Sequence, residues 1–166
     1  MLPPTDRLLI DRSTIDATHE HLLGASTEYV DLINEARENL GGFFDEDVAP
    51  VNQIGFRREV DLVFADPDLA VNVTALIYVC SSLDVIADHP GFIVDELLGR
   101  QLAIMIADGE PQATLAAATF HFMDIMYDTP EQAAGHDDTV AGVAAGFQTR
   151  LPGWAWQAAS SPFDDE

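Results

Sequence analysis

The sequence predicts an all-α protein, a compact irregular bundle of six or seven helices with short antiparallel connections. Beyond about residue 13, apolar residues recur with the helical period over nearly the whole chain. Proline, which is well tolerated at the first position of a helix, recurs at nearly even intervals at Pro67, Pro90, Pro111 and Pro130. A short HEAT-like stack of helix pairs is the minority alternative, because no side-chain signature repeats along the chain.

The first predicted helix covers residues 13–40. It opens with Ser13, whose spacing to Asp16 is that of a capping box, and it closes at Gly41 and Gly42. One face carries the apolar residues Ile15, Leu22, Tyr29, Ile33, Ala36 and Leu40. The opposite face carries the carboxylates of Asp16, Glu20, Glu28, Asp31, Glu35 and Glu38. An amphipathic helix with an acidic outer face follows from this pattern.

The next segment, residues 43–55, is predicted to be a loop. Proline and glycine interrupt the helical period there, and Asp45, Glu46 and Asp47 prolong the acidic surface. Residues 56–65 fit a short helix, although their apolar residues also alternate as in a strand. The helix is favoured because the chain offers no second strand to pair with.

Four further helices are predicted at 67–87, 91–107, 111–127 and 138–150, with a short helical turn at 130–134. Asp66, Asp88 and Thr129 stand where capping side chains are wanted. The segments 67–87 and 92–106 are apolar almost all round, which is typical of helices in the middle of a fold. Gly142 and Gly146 indicate a small-residue face for helix-on-helix contact.

The length predicts one domain, because chains of 166 residues usually build a single core. We assign residues 1–151 to that helical domain and residues 152–166 to an aromatic and acidic tail. The tail carries Trp154, Trp156 and Phe163 among Gly, Ser and Pro. Packing across its own domain is the favoured interpretation, and docking of these aromatic residues on a neighbouring subunit is the functional alternative.

The charge is extreme. The chain holds 29 Asp and Glu against 7 Arg and no Lys, giving a formal net charge of −22. Direct binding to a nucleic acid backbone needs a basic face, which 7 scattered Arg cannot supply. The excess of Asp over Glu favours a halophilic origin, and a GC-rich bacterium or its virus is the alternative source.

Cysteine content and hydropathy indicate the compartment. Cys80 is the single cysteine and lies in an apolar run, so an intrachain disulfide is excluded. The first residues lack a basic region followed by a long apolar stretch, and no segment has 18 uninterrupted apolar residues. The expected location is therefore the cytoplasm, or the virion if the protein is viral, and no membrane partner is expected.

Metal binding is the first catalytic possibility, because histidine and carboxylate side chains on helices build metal sites in bundles. Asp16 precedes His19 by three residues, and His121 precedes Asp124 by three. The pattern lacks the doubled Glu and Glu-x-x-His motifs of di-iron bundles. A core histidine bonded to a carboxylate is favoured, so neither a metal nor a cofactor is predicted.

Two short motifs resemble those of known enzymes. The His136-Asp137 pair resembles the HD dipeptide of metal-dependent phosphohydrolases, but capping of the last helix by Asp138 and Thr139 explains it better. The segment 35–38, Glu-Ala-Arg-Glu, resembles the first carboxylate motif of all-α nucleotide pyrophosphohydrolases of the MazG type, which chelate Mg²⁺ with acidic pairs from two helices. Their second motif, Glu-x-x-Asp, is missing.

In place of that second motif the chain offers Asp84 and Asp88, four residues apart. A solvated acidic face is therefore the favoured interpretation of residues 35–38. Nucleophilic catalysis has little support, because Cys80 lies in an apolar helix and no serine-nucleophile, phosphate-loop or paired-cysteine motif occurs. No catalytic residue is predicted.

These observations favour a non-catalytic helical interaction or assembly protein, such as an adaptor, accessory subunit, chaperone or virion component, with a protein partner or self-association. The candidate binding residues are Glu28, Asp31, Glu35, Glu38, Asp45, Glu46, Asp47, Trp154, Trp156 and Phe163. One alternative is a phosphate-mimicking acidic inhibitor of a DNA-binding protein. Another is a metal-dependent helical hydrolase.

Overall fold

The computed structural model describes residues 10–82, 89–107, 109–127 and 134–154, which form seven packed α-helices without a strand. The predicted all-α bundle is confirmed. The helices are α1 (Arg12–Gly24), α2 (Ser26–Phe44), α3 (Gln53–Ala65), α4 (Pro67–Ser81), α5 (His89–Ala107), α6 (Gln112–Tyr127) and α7 (Ala134–Arg150).

The predicted helix at 13–40 is in fact two helices, α1 and α2, which break at Ala25. The carbonyl of Leu23 accepts hydrogen bonds from the Ser26 hydroxyl and, at 2.7 Å, from the Arg57 guanidinium. A serine side chain that bonds the backbone competes with helix continuation, and Arg57 supplies a partner from α3. The prediction of one helix was therefore wrong at this point.

The capping box of α1 also differs from the prediction. Asp11, rather than Ser13, is the N-cap. Its carboxylate accepts from the Thr14 amide at 2.9 Å, and its own amide donates to the Thr14 hydroxyl at 2.9 Å. The box thus lies two residues earlier than predicted, with threonine in the place usually held by Glu or Gln.

The loop after α2 is shorter than predicted, because α2 continues to Phe44 and α3 begins at Gln53. Asn52 caps α3 by accepting from the Gly55 amide at 2.8 Å. The helical interpretation of residues 56–65 is confirmed. Within α3 the apolar side chains of Phe56, Val60 and Val63 are buried.

Prolines stand at the predicted helix starts where these are described. Pro67 opens α4 with the Asp66 carboxylate as its cap, Pro90 is the second residue of α5, and Pro111 directly precedes α6. Pro130 and all but the last residue of the turn predicted at 130–134 lie outside the described residues, as does the predicted end of α4 at 83–87. Asp88 and Thr129 lie outside them as well.

Helix α7 is the central element, packed against α5 and α6. It begins at Ala134, so Asp138 and Thr139 are buried within the helix and do not cap it as predicted. Every residue from 138 to 149 is buried. The predicted central segments, in α4 and α5, contribute to the core but leave Val71, Val79 and Leu97 exposed.

Close approach of backbones explains this position of α7. A Cβ built on Gly142 would lie 2.6 Å from the Gly99 carbonyl oxygen, and one on Gly146 would lie 2.6 Å from the Ile106 Cβ. Both distances are much shorter than a van der Waals contact, so only glycine fits at these two positions without a shift of the helices. The predicted small-residue face of helix contact is therefore observed, with α5 as its partner.

Across the described ranges, no individual helix combines the length and hydropathy needed to cross a membrane. Taken as one unit, α3 and α4 meet that criterion, but they are bent by 106° at the residue between them.

Candidate functional site

The outer surface of α2 carries four of the predicted binding residues. Glu28, Asp31, Glu35 and Glu38 are all exposed, and we call them the α2 acidic face. Their spacings of three and four residues align them along one side of the helix. The other side of α2 is buried in the core through Tyr29, Ile33, Ala36 and Leu40. The predicted amphipathic pattern is thus observed for this helix.

The segment 45–52 folds back over the C-terminal half of α2. Asp45 ends the helix in the left-handed conformation, with φ of 50°, and the Glu46 amide donates to the Gly41 carbonyl at 2.9 Å. Farther along, the Asn34 side chain donates to the Val51 carbonyl at 3.0 Å and accepts from its amide at 2.8 Å. These bonds fix the loop at both ends.

A surface pocket of about 570 Å³ lies between the loop and α2. We call it the acidic pocket. Its lining residues are Asn34, Arg37, Glu38, Gly41, Gly42, Asp45, Glu46, Asp47, Val48 and Pro50. The structure thus brings Glu38 together with Asp45, Glu46 and Asp47, four of the predicted binding residues, around one depression.

Arg37 is the only cation in this lining, and it is not available to a ligand. Its side chain is 1% exposed, and burial lowers its pKa to about 10, so the guanidinium remains charged at neutral pH. Nε donates to the Gln148 side chain at 3.1 Å. The terminal nitrogens donate to four backbone carbonyls, those of Ala49, Gln148, Leu151 and Pro152, at 2.6 to 3.0 Å.

Three of those carbonyls lie at the C-terminal end of α7, where unpaired carbonyl groups and the helix dipole favour a cation. Arg37 therefore joins α2, the loop and α7. Gly153, with φ of 128°, makes room for this contact, since a Cβ there would lie 2.6 Å from an Arg37 terminal nitrogen. Arg37 was not among the predicted site residues. Its position four residues after Ile33, on the buried side of α2, was the available signal.

Five exposed carboxylates on α2 and in the loop after it take part in no ion pair among the described residues. In the ranges that the structure describes, the ion pairs are Arg12–Asp16 at 3.5 Å, His19–Asp61 at 2.7 Å and Arg150–Glu59 at 3.8 Å. None involves Asp31, Glu35, Glu38, Asp45 or Asp47. These five carboxylates, on the α2 acidic face and around the acidic pocket, therefore present negative charge without an ion pair among the described residues.

An apolar patch that the sequence analysis did not identify adjoins the pocket. Phe43 is 75% exposed, and its ring meets that of half-buried Phe122 edge-on at 6.0 Å. Ile125, one helical turn after Phe122, is 77% exposed. We call Phe43, Phe122 and Ile125 the apolar patch. The available signal was a phenylalanine pair directly before the acidic loop.

Trp154 packs against its own domain, as the favoured interpretation of the tail expected. It is 3% exposed, its Nε1 donates to the Gln148 side chain at 2.8 Å, and its ring meets Phe44 edge-on at 5.9 Å. Burial removes Trp154 from the surface on which a partner could dock. Trp156 and Phe163 lie outside the described residues.

His19 bonds a carboxylate, but not the one nearest in sequence. Its Nε2 lies 2.7 Å from an Asp61 carboxylate oxygen, and its ring stacks on Phe64 at 4.7 Å. The pair joins α1 to α3. In the described ranges, no group of three or more His, Cys, Asp or Glu residues is arranged to hold a metal ion.

The structure separates the residues of the motif at 35–38. Glu35 and Glu38 are exposed, whereas Arg37 is buried between α2 and α7. Asp84 and Asp88 lie outside the described residues, as do the side chains of His136 and Asp137. Cys80 is buried in α4, as predicted.

The fold and this surface define the chain as an all-α bundle with an acidic pocket beside an exposed aromatic residue. Residues 8–166 match the family described as Domain of unknown function (DUF7984), and the chain belongs to that family. No curated protein and no solved structure matches the chain.

Proposed function

We propose that the protein is a non-catalytic helical interaction or assembly protein, an adaptor, accessory subunit, chaperone or virion component. Its partner binds at the α2 acidic face and the acidic pocket. The observation that carries the proposal is the uncompensated charge: Asp31, Glu35, Glu38, Asp45 and Asp47 face solvent without an ion pair among the described residues. Such surfaces steer association with basic proteins.

Co-purification tests this proposal. The tagged chain, recovered from its source extract in high salt, is expected to elute in size-exclusion chromatography with light scattering as a defined complex or oligomer. A monomer that retains no partner would count against the proposal. Two charge-matched variants locate the contact.

The first variant, Asp31→Asn with Glu35→Gln and Glu38→Gln, neutralises the α2 acidic face. The second, Asp16→Asn with Glu20→Gln and Glu96→Gln, removes the same charge from exposed positions on α1 and α5. We expect partner recovery to fall with the first variant and to persist with the second. Equal recovery would remove α2 from the contact.

A phosphate-mimicking inhibitor of a DNA-binding protein is the second candidate. It is favoured by the row on α2, where spacings of three and four residues place carboxylates roughly 5 Å apart along the helix axis. In this case the partner would be a basic DNA-binding protein, and duplex DNA would compete with the chain for it. A complex that excess duplex DNA leaves intact would contradict this candidate.

The habitat proposal is a high-salt cytoplasm, or the virion of a virus that infects a cell of that kind. The support is the composition, with 29 Asp and Glu and no Lys in 166 residues. A surface rich in short carboxylate side chains suits high salt, because it holds water and ions close to the backbone. A charge that suits the habitat is compatible with a charge that serves recognition, because the same exposed carboxylates can do both.

A further inference from the structure

The apolar patch lies on the surface, and its two most exposed side chains are not part of the buried core. Phe43 and Ile125 are the two most exposed large apolar side chains in the described residues, at 75% and 77%. They come from different helices, and Phe122 lies against Phe43 at 6.0 Å. Single exposed apolar residues are common on protein surfaces, but a grouped aromatic and aliphatic set is typical of an interaction site.

Negative charge lies next to this patch at Phe43. Phe43 directly follows Gly42 and stands two residues before Asp45, both of which line the acidic pocket, and Glu38 and Asp47 line it as well. The C-terminal end of α2, at Phe44, adds the negative end of a helix dipole. A partner that covers Phe43 must therefore place its own charged groups against carboxylates.

We propose that the apolar patch and the acidic pocket together bind a basic amphipathic segment of a partner protein. One apolar side chain of that segment packs on Phe43, Phe122 and Ile125, and a neighbouring Arg or Lys enters the acidic pocket. A volume of about 570 Å³ is ample for one long cationic side chain. The inference rests on the proposed function and names the chemistry of the partner.

Charge decides against the other occupants. A second copy of the chain would bring a further formal charge of −22 to the contact, and like-charge juxtaposition disfavours such a complex. An anionic membrane surface is repelled for the same reason. A basic amphipathic segment satisfies both the apolar and the acidic parts of the surface.

Three synthetic peptides test the inference by titration calorimetry. One is a helical peptide with leucine on one face and arginine on the other. The second replaces its arginines by glutamate, and the third is an oligo-arginine of equal charge. We expect the leucine–arginine peptide to bind most tightly, with affinity that falls as salt is raised.

The variants Phe43→Ser and Ile125→Ser should each weaken that binding by about tenfold, as expected for an anchor residue. Both side chains are largely exposed, so the fold should tolerate the changes. Leu62→Ser is the matched control, because Leu62 is 52% exposed on α3, a helix that contributes no residue to the patch. Its affinity for the peptide should equal that of the wild-type chain.

Any of the following outcomes would overturn the inference. Equal binding of oligo-arginine, or unchanged binding by Phe43→Ser and Ile125→Ser, would show that charge alone holds the peptide. If binding is then lost in the α2 triple variant, the proposed function stands without this inference. Absence of binding by all three peptides contradicts the inference directly. A dimer that Phe43→Ser dissociates would make a second copy the occupant.

Discussion

At the scale of single residues, Arg37 decides how the candidate surface is built. A buried guanidinium is costly unless its donors are paired. Here each nitrogen donates to a carbonyl or amide oxygen, and no carboxylate takes part in these bonds. Arg37 thereby holds the loop at Ala49 and the end of α7 against α2, and the acidic pocket depends on that arrangement.

Replacing Arg37 by methionine should lower the free energy of unfolding by about 3 kcal/mol, because several buried carbonyls lose their donor at once. Arg37→Lys should restore little of this lost free energy, since one ammonium group cannot donate to all the oxygens that the planar guanidinium reaches. Urea unfolding followed by circular dichroism measures the effect. Arg58→Met, at an exposed position on α3, is the control. A change of less than about 0.5 kcal/mol in Arg37→Met would contradict this role.

At the level of residues, the acidic part of the site could be predicted from the sequence, whereas Arg37 and Phe43 could not. Glu38 and residues 45–47 were predicted from charge and loop pattern, and they line one pocket. Arg37 was not predicted because most of its partners lie more than 100 positions away, at Gln148, Leu151 and Pro152. The exposure of Phe43 was not predicted, because the exposure of an aromatic side chain depends on tertiary packing.

At the scale of helices, local signals fixed most boundaries and tertiary contacts fixed the rest. Pro67 and its Asp66 cap marked the start of α4 correctly, whereas α3 begins at Gln53, three residues before its predicted start, behind the Asn52 cap. The break between α1 and α2 depends in part on Arg57, which reaches the Leu23 carbonyl from another helix. The central position of α7 depends on small residues, which carry little hydropathy signal but allow the backbones to approach.

The approach of α5 and α7 can be tested at Gly142. Alanine is favoured over glycine in a helix by about 1 kcal/mol. We nevertheless expect Gly142→Ala to destabilise the protein by about 1–2 kcal/mol, because its Cβ would meet the rigid backbone at Gly99. Gly24→Ala is the control, since nothing lies within 4 Å of a Cβ at that position.

Thermal unfolding of the two glycine variants gives the comparison. The transition should shift down in Gly142→Ala and should stay level or rise in Gly24→Ala. Equal shifts in the same direction would mean that α5 and α7 are farther apart than described.

At the scale of the whole molecule, a formal charge of −22 acts against the compact state. The Debye length falls from about 30 Å at about 0.01 M salt to about 3 Å at about 1 M. We therefore expect Tm to rise steadily with KCl between these limits. A variant with Asp31→Asn, Glu35→Gln and Glu38→Gln should show a smaller rise. A Tm that is indifferent to salt would contradict this expectation.

The central claim is that the partner binds at the α2 acidic face, the acidic pocket and the adjoining apolar patch. Hydrogen–deuterium exchange of the co-purified complex against the free chain tests it most directly. The account predicts slower exchange in residues 28–51 and 120–126, with residues 66–81 unchanged. Protection confined to α4, where Val71 and Val79 are exposed, with 28–51 unaffected, would contradict it.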